Sequence, residues 1–245
     1  MKKVALIIPA RLASSRFHGK PLMPINGRPM IQHVWEQSVK AISKDHTYIA
    51  TDSLRISKFC KSIGANVLLT SRNCKTGTDR IAEANKKLGY DLIINVQGDE
   101  PLINPNDIRS LLKEHQKTGL ITNGYQKICS KEEFYSASVP KVILNKNREL
   151  LYMSRAGIPT NKNQGFKKAF KQVCIYVYTR DHLKFFLQNP KKSFNEEIED
   201  IEILRFLDHG FKVSMVEVKS QYIAVDFPAD IPRVEKYLLA NKSHG

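Results

Sequence analysis

VALIIPARLASSRFHGKPL, residues 4–22, carries the reading from which the fold follows. Its unbroken apolar run, residues 4–8, predicts a strand covered on both faces. The run ends in a loop of small residues and fixed positive charge: Arg11, Arg16 and Lys20, with Gly19 just before the lysine. Small side chains let the backbone approach an anion and the cations neutralise it, so such a loop at the carboxyl end of a strand suits a polyphosphate. The Walker pattern is absent, since its glycine framework and closing Lys-Ser/Thr pair are missing. The competing reading is a basic surface loop ahead of an ordinary helix.

Working outward, 28–42 has apolar residues at helical spacing, with Pro29 suited to a first turn. Residues 48–51 read as a strand, 54–63 as a helix, 66–70 as a strand, 76–88 as a helix with cap-forming residues at its start, and 91–97 as a further buried strand. This alternation predicts an α/β fold with a doubly wound, mostly parallel sheet and right-handed crossovers. Ligands then belong beyond the carboxyl ends of the strands. After about residue 118 the pattern shifts to strands at 120–128, 139–145, 149–154 and 172–179, which predicts a smaller β-rich lobe or antiparallel additions to the sheet. The polar, basic stretch 161–171 reads as a mobile surface loop. Residues 181–189 and 196–210 read as helices, the second ending at Gly210, 211–218 as a strand and 227–242 as a closing helix. No linker cuts the 245-residue chain, so it is expected to form one domain: a first half to 118, a second from 119 to 225, and the closing helix from 226.

Lys and Arg number 39 against 24 Asp and Glu, a formal charge of +15. That favours anionic partners and speaks to encounter rather than fold. Cys60, Cys74, Cys129 and Cys174 form no CxxC pair, so free thiols in a reducing cytoplasm are expected rather than a zinc ribbon or a disulfide scaffold. The seven histidines show no metal-ligand spacing. No stretch reaches the roughly 18 apolar residues of a membrane helix. A soluble cytoplasmic protein without membrane or nucleic-acid partners is expected. A basic RNA-binding protein would explain the charge, but not aspartates at strand ends, and no RRM or KH signature appears.

Three further motifs carry chemistry. In NVQGDEP, 95–101, a buried strand runs into Gly98 and then Asp99 and Glu100. Hard carboxylate oxygen suits magnesium, which commonly joins protein to phosphate; the bland alternative is a cap for the next helix. In AVDFPADI, 224–231, Asp226 stands in a similar setting, with an N-cap as the strong alternative. In KTGTDRIAE, 75–83, hydroxyls at a helix start, with Arg80 in the first turn, can receive a phosphate or a base edge, or simply cap the helix.

The ordered set IIPAR, GKPL, GTDR, VQGDEP, SRAGIP (154–159) and VDFPADI resembles the 3-deoxy-manno-octulosonate cytidylyltransferases over almost the whole chain. The resemblance implies a Rossmann-like nucleotidyltransferase fold with helices on both faces of a mixed sheet, typically dimeric. It implies an enzyme that couples CTP to a 2-keto-3-deoxy sugar acid with release of pyrophosphate, making an activated sugar for lipopolysaccharide or capsule. Residue by residue, Arg11 and Lys20 match the triphosphate loop, with Ala10, Ser14 and Arg16 beside them. Thr78 and Arg80 match the segment near the nucleotide. Asp99 and Asp226 match the magnesium carboxylates. Gln97, Arg155, Gln172, Tyr176 and Glu202 match positions that face the sugar acid, with the Arg155 guanidinium shaped to grip its carboxylate. Arg11, Lys20 and Asp99 are the expected catalytic residues.

Three departures are visible. His18 replaces a proline, Gln172 replaces a sugar-contacting histidine, and Ile203 replaces a glutamine. The nucleotide end is intact and the sugar end is altered. A changed set of hydrogen-bond partners discriminates differently, so the acceptor is expected to be a modified or related ulosonic acid, unless neighbouring residues compensate. Another nucleotide, such as UTP, or another acidic sugar stays open.

Overall fold

Strand β1 (Val4–Ala10) lies in the interior of the main sheet in the computed structural model, which describes residues 2–12, 17–220 and 222–242. A 3₁₀ turn at Lys20–Leu22 and the small hairpin β2 (Pro24–Ile25) and β3 (Arg28–Pro29) lead to α1 (Met30–Ala41). The first half continues as β4 (Thr47–Thr51), α2 (Leu54–Ser62), β5 (Asn66–Leu69), α3 (Gly77–Leu88), β6 (Leu92–Val96) and α4 (Pro105–Thr118). The second half holds β7 (Ile121–Lys127), α5 (Lys131–Tyr135), β8 (Lys141–Leu144), β9 (Leu150–Ser154) and β10 (Phe170–Thr179). It closes with α6 (Arg180–Gln188), α7 (Phe194–Glu199), α8 (Ile203–Asp208), β11 (Val213–Glu217) and α9 (Ile231–Lys242).

The main path runs β11-β7-β10-β6-β1-β4-β5, with β8 attached to β10 and β9 to β8. β1 pairs in parallel with β4 and β6, as do β4 with β5 and β7 with β11; β10 runs antiparallel to both β6 and β7. The mostly parallel mixed sheet is therefore as expected, and β8 and β9 form the smaller β-rich annex.

Both faces are covered, and β1 shows why. Ala5 and Ile7 pack into one cluster with Ile81 of α3 and Leu183 and Phe186 of α6. Leu6, Ile8 and Ala10 pack into the other with Ile31 of α1, Ile56 of α2 and Leu111 of α4. Alternate residues of one strand serve opposite layers, so no polar face is left and the run reads as continuously apolar. Each fully buried Leu or Ile of this kind contributes on the order of 1.5–3 kcal/mol.

Three sequence expectations need correction. Pro29 sits in β3 and precedes α1 rather than occupying its first turn. Phe170 and Lys171, read as the end of a loop, open β10. Residues 196–210 are not one helix: α7 and α8 are separated at Asp200, whose φ of 50° is left-handed. The cause is a buried ion pair. Arg205 Nε and Nη2 donate to Glu196 Oε2 and Oε1 at 2.6 and 2.7 Å, both side chains are almost wholly buried, and the guanidinium lies 3.7 Å from the centre of the Phe186 ring. On a continuous helix, residues nine apart are separated by about 13.5 Å along the axis, so the pair forms only if the helix breaks. The unread α4 begins at Asn104, whose side chain accepts from Asn106 N at 2.8 Å.

Replacing Arg205 by Leu strands the Glu196 carboxylate in the interior. Urea denaturation should show a loss of about 3–5 kcal/mol, most of it recovered when Glu196 is also made Leu. Acid stability follows from His182. Its Nδ1 accepts from Thr179 N at 3.2 Å, and burial lowers its pKa to about 4. The unfolded imidazole takes its proton first, so the stability that this group contributes is whole above pH 6.5 and is lost as the pH falls towards 4. Burial of His33 and His115 acts in the same direction. His182→Gln, which retains a capping side chain, should reduce the loss between pH 7 and pH 5 by on the order of 1–2 kcal/mol, read from urea midpoints at the two pH values.

Candidate active site

The carboxyl ends of β1 and β6 open into a cleft of about 850 Å³ whose wall includes Ala10, Arg11, Lys20, Gln97 and Asp99. That is near the upper end of the roughly 300–1,000 Å³ typical of small-molecule sites, room enough for two substrates side by side. Gly98 allows the loop after β6 to lie against β1: a Cβ there would meet the Pro9 carbonyl oxygen at 2.9 Å.

Lys20 organises the end of the cleft next to β1 and β6. Its Nζ donates to Asp99 Oδ2 at 2.7 Å and to the Val225 carbonyl at 2.9 Å, so three distant chain segments meet at one ammonium. Val225 N in turn donates to the Asp99 carbonyl at 3.1 Å, and Asp226 lines the same cleft. The bland alternatives for the carboxylates find other candidates. Asn104 caps α4, and Asp230 accepts from the backbone N–H groups of Asp226 and Phe227, both at 2.9 Å. Among the described residues no group of three or more His, Cys, Asp and Glu could hold a metal by itself. Two hard carboxylates completed by phosphate oxygens are nevertheless the donor set that magnesium takes. Asp99 and Asp226 fit an ion that arrives with a nucleotide.

Arg11 is exposed and reaches the Lys75 carbonyl at 3.5 Å; Ser14 and Arg16 lie outside the described residues. Glu100 is buried, and its Oε2 has no hydrogen-bond partner. Burial, with Asp99 beside it, pushes this carboxyl up to about 8.

Of the two readings of the α3 start, an anion seat or a plain cap, the structure shows the cap. Thr76 and Asp79 form a reciprocal capping pair, while Gly77 N and Thr78 N donate to the two Glu202 oxygens at 3.1 and 2.8 Å. The protein's own carboxylate occupies the helix N-terminus, and burial raises the Glu202 pKa. Thr78 and Arg80 are buried. Arg80 donates to Thr70 Oγ1 at 2.6 Å and pairs with Asp52 at 3.0 Å, joining the ends of β4 and β5 while lining the cleft.

At the far end, Arg155, Gln172, Tyr176 and Glu202 share the wall. The Arg155 guanidinium is held by the carbonyls of Ala137, Glu199 and Asp200, with Nη1 and Nη2 distances of 2.8 and 2.9 Å. Gripping a carboxylate would require it to leave them. Gln172 Nε2 donates to Asn123 Oδ1 at 3.1 Å and to Tyr176 Oη at 3.0 Å. Ile203 is fully buried in the core, so its departure from the family pattern falls behind the cleft wall.

Several supporting residues escaped the sequence reading. Lys171 pairs with Glu133 at 2.6 Å on the cleft wall, inside a stretch read as loop. Buried Lys141 donates to the carbonyls of Ser136 and Arg155 at 2.7 and 2.6 Å; burial and the nearby Arg155 lower its pKa to about 8. Asn123, a polar residue in mid-strand, was the one with a visible signal.

A family model described as cytidylyltransferase matches residues 5–217. A relative from Shewanella putrefaciens, named 8-amino-3,8-dideoxy-manno-octulosonate cytidylyltransferase, is 40% identical over 97% of this chain and 99% of its own. One from Desulfosudis oleivorans, named 3-deoxy-manno-octulosonate cytidylyltransferase, is 40% identical over 95% and 96%. A solved CMP:2-keto-3-deoxy-manno-octonic acid synthetase in complex with CTP superposes with a TM-score of 0.89 at 34% identity, covering 98% of this chain and 99% of that one. An apo UDP-glucose pyrophosphorylase, at 15% identity and a TM-score of 0.69, shares the fold. The chain belongs to the cytidylyltransferase family, among its 3-deoxy-manno-octulosonate cytidylyltransferases.

Proposed function

We propose that this enzyme transfers CMP from CTP to the anomeric 2-hydroxyl of a 3-deoxy-2-ulosonic acid. The hydroxyl oxygen forms a bond to the α-phosphorus, the bond from that phosphorus to the β-phosphate bridge breaks, pyrophosphate leaves, and the hydroxyl proton is released. The observation that carries the reading is the Lys20 junction, which brings a cationic strand-end loop, Asp99 and the Val225–Asp226 turn to one cleft beside a polar sugar-sized wall.

Little covalent chemistry is asked of the protein; positioning and charge neutralisation do most of it. Lys20 and Arg11 neutralise the phosphates and the departing pyrophosphate. Asp99 and Asp226 would hold magnesium, which when bound polarises the α-phosphate and lowers the pKa of the acceptor hydroxyl. Gln97, Gln172 and Tyr176 present the polar surface for the sugar. We further propose an amino-substituted ulosonic acid as the acceptor, supported by the Shewanella relative's name and by the glutamine at position 172. The product would serve lipopolysaccharide or capsule synthesis, made in the cytoplasm by a homodimer. Among the described residues no helix is long and apolar enough to cross a membrane.

A pyrophosphate-release assay over a panel of nucleotides and sugar acids tests the reading: CTP with an ulosonic acid should give turnover, and turnover with UTP alone would overturn it. Asp99→Asn and Lys20→Ala should each lower kcat on the order of 10²–10³-fold with the circular dichroism spectrum unchanged. Gly77→Ala gives a steric test of the wall. The new Cβ would meet Gln97 Nε2 at 2.6 Å, so Gln97 must move, and KM for the sugar should rise more than KM for CTP.

A further inference from the structure

We infer that Gln172 is a specificity-determining residue, whose amide oxygen is locked towards the acceptor sugar and selects one bearing an amine; this rests on the acceptor class proposed above. The lock begins in the backbone. The pairing of β10 with β7 slips between Val173 and Tyr176. Asn123 Nδ2 donates to the carbonyls of Val173 and Ile175, at 3.0 and 2.8 Å, across this irregularity. The Asn123 side chain is fully buried, and its orientation is decided by those two acceptors. Turned over, it would set an oxygen against two carbonyl oxygens.

Asn123 Oδ1 can therefore only accept, and the group opposite it must donate. That group is Gln172 Nε2, at 3.1 Å. Its second hydrogen is directed to Tyr176 Oη at 3.0 Å. Both amide hydrogens of Gln172 are thus committed within the wall, and the chemistry it has left to offer the cleft it lines is the acceptor Oε1. One fixed backbone irregularity, through two amides, sets the polarity of a substrate contact.

A hydroxyl can satisfy such an oxygen with one donor. A primary ammonium brings three donors and a charge, and charge-assisted hydrogen bonds are about twice as strong as neutral ones. The imidazole that the family pattern places here would spend its one N–H on Asn123 Oδ1, and once protonated it would oppose an ammonium donor to donor. The amide oxygen removes that conflict. Charges of both signs line the cleft around it: the Arg155 guanidinium is held by three carbonyls, and Lys171 is paired with Glu133 at 2.6 Å.

The test compares 3-deoxy-manno-octulosonate with its 8-amino-3,8-dideoxy counterpart in the pyrophosphate-release assay, taking the ratio of kcat/KM values. The wild-type enzyme should prefer the amino sugar. Gln172→His should lower that ratio about tenfold or more, chiefly by loss on the amino sugar, with KM for CTP unchanged. Gln172→Met, which keeps the length and loses the amide oxygen, should lower the ratio likewise. A preference that survives Gln172→His in active enzyme overturns the assignment to Gln172 and leaves the amino-sugar acceptor standing. A wild-type enzyme that uses both sugars equally overturns both.

Discussion

The ion pair between Lys20 and Asp99 ties the site to the fold. Its partners are 79 residues apart and meet because β1 and β6 are parallel neighbours, so their carboxyl ends deliver the cationic loop and the NVQGDEP turn to one sheet edge. Gly98 lets that turn lie close enough to β1 for the contact to form. The second bond from Lys20, to the Val225 carbonyl, brings in the Asp226 turn. A partly buried ammonium held by a carboxylate and a carbonyl is oriented before any phosphate arrives, and a preorganised charge needs little rearrangement when a transition state forms.

The sugar end is built differently. Where the Lys20 end relies on charge at strand termini, the wall around Arg155 and Gln172 is a lattice of polar groups holding one another. Glu202 sits on the first turn of α3, Arg155 is clasped by three carbonyls, and Lys141 holds the Ser136 and Arg155 carbonyls from below. Ser154 Oγ and Arg155 N both donate to Glu199, at 2.6 and 2.7 Å, fastening the end of β9 to α7. Little in this wall is left unpaired, so a changed side chain alters which atom faces the substrate as well as how strongly it binds.

What was legible in the sequence follows from this contrast. The strands of the first half announce themselves because each is an apolar run ending in a turn, and the residues that line the cleft stand at those ends. The cap of α3 is equally local: Thr76 and Asp79 are three residues apart. The break between α7 and α8 was hidden because its cause, the Glu196–Arg205 pair, exists only once both charges are buried together. For the same reason the Glu202 carboxylate on the first turn of α3 went unread and the Arg155 guanidinium looked available; their partners come from segments up to 125 residues away. The insertion of β10 between β6 and β7 could not be read from either neighbour. Asn123 did leave a trace, as an amide in the middle of a buried strand.

The path of β10 also decides how the polypeptide can be divided. The strand sealing the hydrogen-bonding edge of β6 is contributed some 80 residues later in the chain, so the first 118 residues expressed by themselves would present that edge bare, with its N–H and C=O groups seeking a partner. Unprotected edges of this sort template intermolecular pairing. The first half is thus not a detachable module: its solubility depends on a strand synthesised long after its own residues have left the ribosome.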